Sequence, residues 1–213
     1  MFVLSILTLF LSFLLNHSFE PISRNVGIKN SLLRAIVKTA PYEDIIPFLS
    51  EHIQPSDQLL FVGAKTDLAI QLAKNGYGSK KTGVMVVVDS DQSVIDECIS
   101  LAKSMPETAG YLTSKKLSFI CCDLDKMASI CRQSSFDAIV DYGGLDSLLK
   151  EPSANEEKAL KAIDHMQNAL RLGNILVCIS ALEKNLFCSP FEKRFGWVQE
   201  LDGDPGEISA WYR

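Results

Sequence analysis

The stretch Gln58-Leu-Leu-Phe-Val-Gly-Ala-Lys-Thr-Asp67 decides the fold of this chain. It reads as an apolar strand that turns at a glycine into a helix ending near Lys74, and a second apolar strand, 84–88, then leads to Asp89. Strands that are apolar at every position are typical of parallel sheets buried on both faces. Doubly wound α/β sheets hold nucleotide-like cofactors with a glycine turn after one strand and an acidic residue after the next strand. The stretch therefore predicts the cofactor half of such a sheet.

The rest of the chain continues the alternation of strands and helices. Apolar runs predict further strands at 117–121, 136–140 and 175–179. Helical spacing of apolar residues predicts helices at 31–37, 41–54, 92–102 and 156–172, while 106–114 reads as a connecting loop. Two β candidates, 197–201 and 208–212, flank a turn at 202–206. We predict an α/β, Rossmann-like, seven-stranded, mostly parallel sheet with helices on both faces and a C-terminal antiparallel hairpin.

The composition fits one packed domain. The chain has 213 residues, of which 47% are apolar and 22% charged, and this favours a core over disorder. Its net charge of -5 gives no general attraction to nucleic-acid phosphates. The pair Lys80-Lys81 reads as a solvated turn rather than a basic patch. We therefore predict no nucleic-acid partner.

The N-terminus differs from everything that follows it. Residues 1–15 are almost uninterruptedly apolar, yet shorter than the roughly 20 residues that span a bilayer. We divide the chain into a hydrophobic leader, 1–18, and a domain, 19–213. A cleaved signal, an interfacial anchor that contacts a membrane through 1–15, and a wrongly assigned start all stay open.

The six cysteines favour a reducing compartment. Three of them, Cys121, Cys122 and Cys178, fall in predicted strands, where we expect them to be buried as small hydrophobic side chains. No pair has the spacing of zinc ligands, and the three histidines are scattered, so we predict no metal site. A cytoplasmic domain follows from the thiols, whereas the leader indicates membrane or secretory targeting, and localisation stays open between the two.

Four residues follow the ends of successive predicted strands: Gly63, Asp89, Asp123 and Asp141. The carboxyl ends of parallel strands meet at one edge of a sheet, so we expect these residues to line one crevice. Asp89 could accept hydrogen bonds from two ribose hydroxyls, and Asp123 from an adenine amino group with Leu124 against the ring. Each residue alone is as well explained by a turn, a helix cap or a polar strand end.

Residues from about Tyr42 to Tyr212 resemble class I S-adenosylmethionine-dependent methyltransferases. Within these they resemble the eukaryotic elongation-factor-1A lysine and N-terminal methyltransferase-like family. The resemblance is carried by the segments 53–63, 71–77, 89–95, 136–148 and 176–180. The most specific is Phe-Asp-Ala-Ile-Val-Asp-Tyr-Gly-Gly-Leu-Asp-Ser-Leu, which places an aspartate, glycine and then leucine-aspartate after the fourth strand.

The resemblance implies S-adenosylmethionine as cofactor and methyl transfer to a lysine or N-terminal amine of a protein substrate. It implies cofactor contacts at Gly63, Ala64, Lys65, Asp89, Ser90, Asp123, Leu124 and Asp141. The loop after the fourth strand would face the transferred methyl group and the acceptor nitrogen. There the carboxylates of Asp141 and Asp146 and the ring of Tyr142 are the catalytic candidates, since charge and π contact can orient the amine and favour the cationic sulfonium.

Two other interpretations stay open. Lys65 stands where the family has a second glycine, and Tyr142 and Gly144 stand where it has lysine and threonine. A methyltransferase-like fold that has lost catalysis and serves as a binding module fits these departures. A different nucleotide-cofactor enzyme, such as a dehydrogenase, is disfavoured because its glycine pattern is absent.

Overall fold

The computed structural model describes residues 42–63, 67–150, 152–180, 182, 190, 198–199 and 208–212. The leader and its boundary with the domain, the helix predicted at 31–37, the residues Ala64 and Lys65, and the turn predicted at 202–206 lie outside the described residues. Within the described part of the chain, no helix has the length and apolar character needed to cross a membrane.

The described elements alternate as the sequence predicts. The strands are β1 (Gln58–Val62), β2 (Val84–Asp89), β3 (Leu117–Cys121), β4 (Phe136–Tyr142), β5 (Leu170–Ile179), β6 (Val198–Gln199) and β7 (Ile208–Tyr212). The helices are α1 (Tyr42–His52), α2 (Leu68–Lys74), α3 (Gln92–Ser104), α4 (Pro106–Thr113), α5 (Asp146–Leu149) and α6 (Pro152–Ala169), with a 3₁₀ helix at Leu124–Ser129.

The sheet has the order β3-β2-β1-β4-β5-β7-β6. The first five strands are parallel to their neighbours, which confirms the α/β, Rossmann-like prediction. The parallel part has five strands, and the C-terminal segments add antiparallel pairs, β7 with β5 and the two residues of β6 with β7. Because the chain moves outward from β1 to β2 and β3, and then returns to place β4 on the other side of β1, the strand order reverses at β1 and β4. Ligands of open α/β sheets bind at this reversal.

Both faces of the sheet are buried. Leu60 and Val62 share one apolar cluster with Ile163 and Met166 of α6 and with Met127 of the 3₁₀ helix. Side chains alternate between the faces of a strand, so Leu59 and Phe61 point to the opposite face, where they are buried as well. On that side α3 contacts β2 and β3, and α4 contacts α2 and α3.

The loop predicted at 106–114 is a helix instead. Met105 has extended backbone, α4 begins at Pro106, and the buried hydroxyl of Thr108 donates to the carbonyl of Ala102 at 2.6 Å. Proline is well tolerated at a first helical position, where no hydrogen-bonded N–H is required. The prediction was wrong because α4 buries almost no apolar residue and so has no apolar stripe to reveal it.

The cysteine prediction was correct for Cys178 and wrong for Cys121. Cys178 is buried, Cys122 is half-buried, and Cys121 is exposed. Cys121 ends β3, which is the edge strand of the sheet, so its apolar sequence context does not guarantee burial. The described cysteines form no disulfide with one another, and Cys188 lies outside the described residues.

Candidate active site

The carboxyl ends of β1, β2, β3 and β4 meet at one edge of the sheet. Val62 is opposite Asp141 in the register of β1 and β4, and Asp89 is opposite Cys121 in the register of β2 and β3. The amide of Gly63 donates to the carbonyl of Val88 at 2.9 Å, so the turn after β1 is tied to β2. The structure thus brings together the strand ends that the sequence singled out.

Gly63 is enclosed by the loop that follows β4. Its φ of +88° is in the left-handed region, and a Cβ atom there would lie 2.8 Å from the carbonyl oxygen of Tyr142 and 3.0 Å from the amide nitrogen of Gly144. Contacts this short with backbone atoms leave no room for a side chain. The turn after β1 and the loop after β4 therefore pack on each other through backbone.

Asp89 ends β2 with a largely buried side chain. Its Oδ1 accepts the amide of Asp91 at 2.9 Å, and its carbonyl accepts the amide of Cys122 at 2.8 Å. Asp91 itself caps α3 by accepting the amide of Ser93. Ser90 is exposed, and its carbonyl lies 3.5 Å from the Sγ of Cys121. Asp89 is thus held in a fixed position at the edge of the sheet, with Ser90 on the surface beside it.

Asp123 and Leu124, which the sequence predicts as contacts of the adenine ring, both interact with other parts of the protein. The carboxylate of Asp123 is exposed and paired with the ammonium group of Lys126, which lowers the pKa of that carboxyl. Leu124 is buried in the apolar cluster beneath α6. The cofactor roles of both residues stay predictions.

Asp141 lies under the loop rather than on its surface. Its side chain is fully buried, and its Oδ1 accepts the amide of Leu145 at 3.2 Å. No described residue bonds its other oxygen, Oδ2. Burial raises the pKa of Asp141 to about 8, against the bond from the Leu145 amide and with help from the negative charge of Asp146. Asp141, which the sequence predicts as a cofactor contact and catalytic residue, is therefore a buried carboxyl that binds the backbone of its own loop.

Asp146 and Tyr142 complete this loop. Asp146 begins α5, is 6% exposed, and accepts the hydroxyl of Ser180 through Oδ1 at 2.6 Å. Tyr142 is half-buried at the end of β4, and its burial raises the pKa of its phenol. Gly143 has a φ of +68°, which lets the chain reverse between them.

Ser180, which donates to Asp146, was not among the site residues predicted from the sequence. It directly follows β5, so it obeys the same rule that selected the residues after β1 to β4. A polar residue closing the apolar run 175–179 was the available signal.

The described residues fit a cofactor that carries an adenosine group. Gly63 brings the backbone of two loops together, Asp89 provides a carboxylate at the end of β2, and Asp141 has a buried oxygen that no described donor satisfies. Buried polar atoms ordinarily have a partner, so the unsatisfied oxygen indicates a place that a bound group completes. Among the described residues, no group of three histidine, cysteine or acidic side chains could hold a metal ion.

Comparisons with known proteins agree with this description. No protein-family model matches the chain, and no curated protein is significantly similar to it. An S-adenosylmethionine-dependent methyltransferase from Methanosarcina mazei is similar in structure with a TM-score of 0.51 and 19% identity, over 78% of this chain and 77% of that one. One from Aquifex aeolicus has a TM-score of 0.57 and 11% identity, over 80% and 87%. A methyltransferase from Geobacter sulfurreducens has a TM-score of 0.50 and 14% identity, over 81% and 86%.

These similarities define the fold. The chain has the α/β, Rossmann-like fold of class I S-adenosylmethionine-dependent methyltransferases. Nothing in them points to the elongation-factor-1A lysine and N-terminal methyltransferase-like family, so that narrower resemblance stays a prediction.

Proposed function

We infer that this protein is an S-adenosylmethionine-dependent methyltransferase and that its acceptor is a protein amine, either a lysine side chain or an N-terminal amino group. The observation that carries the proposal is the convergence of Gly63, Asp89 and the loop Asp141–Asp146 at the point where the strand order reverses. The fold shared with known methyltransferases supports the same reaction class.

The cofactor side of the site is formed by the ends of β1 and β2. The backbone at Gly63 permits close approach of a ligand, and the carboxylate of Asp89 can accept the two hydroxyls of a ribose. When bound, S-adenosylmethionine supplies a methyl group activated by a sulfonium. The carboxylates of Asp89 and Asp146 at this edge favour a cationic ligand over a neutral one.

The acceptor side is formed by the loop after β4. Methyl transfer to an amine is an in-line displacement, so it depends on positioning and on a deprotonated nitrogen more than on a strong base. Asp146 can orient the incoming amine by accepting a hydrogen bond from its N–H, and the ring of Tyr142 can contact the cationic sulfonium through its π face. Asp141 acts from beneath the loop, by accepting the hydrogen bond of the Leu145 amide.

The choice of a protein amine rests on the sequence of the loop. Asp-Tyr-Gly-Gly-Leu-Asp, 141–146, resembles the corresponding loop of methyltransferases that act on lysine and N-terminal amines. Carboxylates paired with an aromatic ring suit an amine better than they suit a carboxylate or phosphate acceptor.

Titration calorimetry with the full chain tests the cofactor, and transfer of tritiated methyl groups from S-adenosylmethionine to cell-extract proteins tests the reaction. We expect heat of binding at micromolar cofactor, and label in methylated lysine or methylated N-terminal residues after acid hydrolysis. Absence of heat at millimolar cofactor would contradict the whole proposal. Label found only in small molecules or nucleic acid would contradict the acceptor.

A catalytically inactive binding module is the second candidate. It is favoured by Lys65 in place of the family's second glycine and by the complete burial of Asp141. This candidate predicts that the cofactor binds without any label appearing in extract proteins.

A further inference from the structure

The hydroxyl of Ser180 joins the end of β5 to the loop after β4. It donates to Oδ1 of Asp146 at 2.6 Å and accepts the amide of Leu182 at 3.1 Å. Ser180 and Asp146 are 8% and 6% exposed, so water competes little for these bonds. Because the Leu182 amide donates to the same oxygen, the direction of the Ser180 hydroxyl proton toward Asp146 is fixed.

Asp146 is the carboxylate that this bond from Ser180 holds. Asp141 is held separately, by the amide of Leu145 in its own loop. The two carboxyls lie near adjacent glycines of the same turn: Oδ1 of Asp141 is 2.8 Å from the position of a Cβ atom on Gly144, and Oδ2 of Asp146 is 3.8 Å from that on Gly143. A short α-helix of four residues carries Asp146 and provides little rigidity of its own. The bond from Ser180 therefore supplies a constraint on Asp146 from a different strand.

We propose that Ser180 is a positioning residue, which acts through Asp146 to hold its carboxylate in the orientation that attracts positive charge at the methyl-transfer position. This inference rests on the proposed function and adds to it the residue that sets the geometry of the acceptor site. A hydrogen bond to a charged group in a buried site is strong enough to select one orientation of a carboxylate.

Two cofactor analogues measure the orientation of the Asp146 carboxylate without knowledge of the protein acceptor. Sinefungin carries an amino group at the position of the transferred methyl group, whereas S-adenosylhomocysteine has an uncharged sulfur and no methyl group there. The ratio of their dissociation constants therefore reports attraction of a cation at the methyl position. Calorimetry on the full chain gives both constants.

The matched variants are Ser180→Ala and Ser147→Ala. Ser147 lies next to Asp146 on the same short helix, but it is exposed and donates to the carbonyl of Gly144 at 2.9 Å. We expect Ser180→Ala to reduce the preference for sinefungin about tenfold, the size of a hydrogen bond to a charged group, with little change for S-adenosylhomocysteine. Ser147→Ala should leave the ratio unchanged.

A double-mutant cycle separates positioning from a general structural effect. In an Asp146→Asn background the charge is already absent, so Ser180→Ala should change the ratio no further. If Ser180→Ala unfolds the chain, Ser180→Cys replaces the hydroxyl with a weak donor of similar shape and should show the same loss.

The measurements distinguish a failure of the proposed function from a failure of the positioning role of Ser180. If neither analogue binds the wild-type chain at millimolar concentration, the proposed function fails and this inference fails with it. If both bind and Asp146→Asn lowers the ratio while Ser180→Ala does not, Ser180 has no positioning role. An equal loss for Ser180→Ala in the wild-type and Asp146→Asn backgrounds would also overturn the proposal, because Ser180 would then act independently of Asp146.

Discussion

The position that a Cβ atom would take on Gly63 is 2.8 Å from the carbonyl oxygen of Tyr142. This contact joins the turn after β1 to the loop after β4 across the point where the strand order reverses. Since the cofactor and acceptor sides of the proposed site are these two segments, a change at Gly63 is expected to disturb both.

Replacement of Gly63 by alanine should lower both stability and cofactor affinity. The new methyl group would clash with the backbone of Tyr142 and Gly144, and the φ of +88° is itself unfavourable for alanine. Gly76→Ala is the matched control, because Gly76 has a φ of +86° but a Cβ atom there would meet only the hydroxyl oxygen of Ser79, at 3.8 Å. We expect urea unfolding to show Gly63→Ala about 1–3 kcal/mol less stable than Gly76→Ala. Equal losses for the two variants would show that the clash is relieved.

The fold was largely predictable because its strands are continuous apolar runs. The helix α4 was not, because the segment Pro106–Thr113 buries only Thr108 and has no apolar stripe. The exposure of Cys121 depends on strand order, since β3 is at the edge of the sheet. Local sequence does not determine which strand lies at an edge.

The candidate site was predictable only at the level of strand ends. The rule that ligands bind at the carboxyl ends of strands selected Gly63, Asp89 and Asp141 correctly as neighbours. It could not show that Asp141 is buried, because β4 continues to Tyr142, two residues beyond the predicted end. Nor could it pair Ser180 with Asp146, since a contact between residues that far apart in sequence follows from packing.

The raised pKa of Asp141 predicts that the free energy of unfolding falls as pH rises. Its folded-state pKa, raised to about 8 by burial and by Asp146, lies above the unfolded value of 3.8. The folded state therefore binds the proton more tightly than the unfolded state does. The resulting stabilisation of the folded state is fully present below the unfolded-state pKa of 3.8, and it is lost as pH rises through the folded-state pKa of about 8. Between these limits the free energy of unfolding should fall by about 1.4 kcal/mol per pH unit through this group.

Asp141→Asn removes that dependence, since the amide is neutral at every pH and its oxygen can still accept the Leu145 amide. Urea unfolding at several pH values between 5 and 8 checks the slope. Asp123→Asn is the control: the pairing with Lys126 lowers the pKa of Asp123, so its contribution has the opposite sign and is lost as pH falls. If the free energy of unfolding changed with pH equally in Asp141→Asn and in the wild-type chain, the carboxyl of Asp141 would titrate in its ordinary range.

Asp89→Asn should weaken cofactor binding about tenfold to a hundredfold while leaving the fold intact. The charged acceptor for ribose hydroxyls is lost, and hydrogen bonds to charged groups contribute about 1.5–3 kcal/mol. The asparagine side chain would keep an oxygen for the amide of Asp91. Asp91→Asn makes the same charge change two residues away, and asparagine caps helices as well as aspartate does. Calorimetric titration that gave equal losses for both variants would mean that general charge, rather than ribose contact, sets the affinity.

The cysteines predict a selective and ligand-sensitive reaction with iodoacetamide at neutral pH. Cys121 is exposed, whereas Cys98 and Cys178 are buried, and burial raises the pKa of Cys131 to about 11. Thiolates are the reactive form, so Cys121 should be alkylated at least about tenfold faster than Cys131. Mass spectrometry of the tryptic peptides gives both rates.

Bound S-adenosylmethionine should slow the alkylation of Cys121 and leave the slower cysteines unaffected. The Sγ of Cys121 lies 3.5 Å from the carbonyl oxygen of Ser90, and Ser90 directly follows Asp89, the proposed ribose ligand. A ligand in contact with Asp89 would therefore cover the thiol, whereas a ligand bound elsewhere would not. Asp89→Asn provides the control, because saturating protection should then require a correspondingly higher cofactor concentration. Full reactivity of Cys121 in a chain that calorimetry shows to be saturated would place the cofactor away from the end of β2.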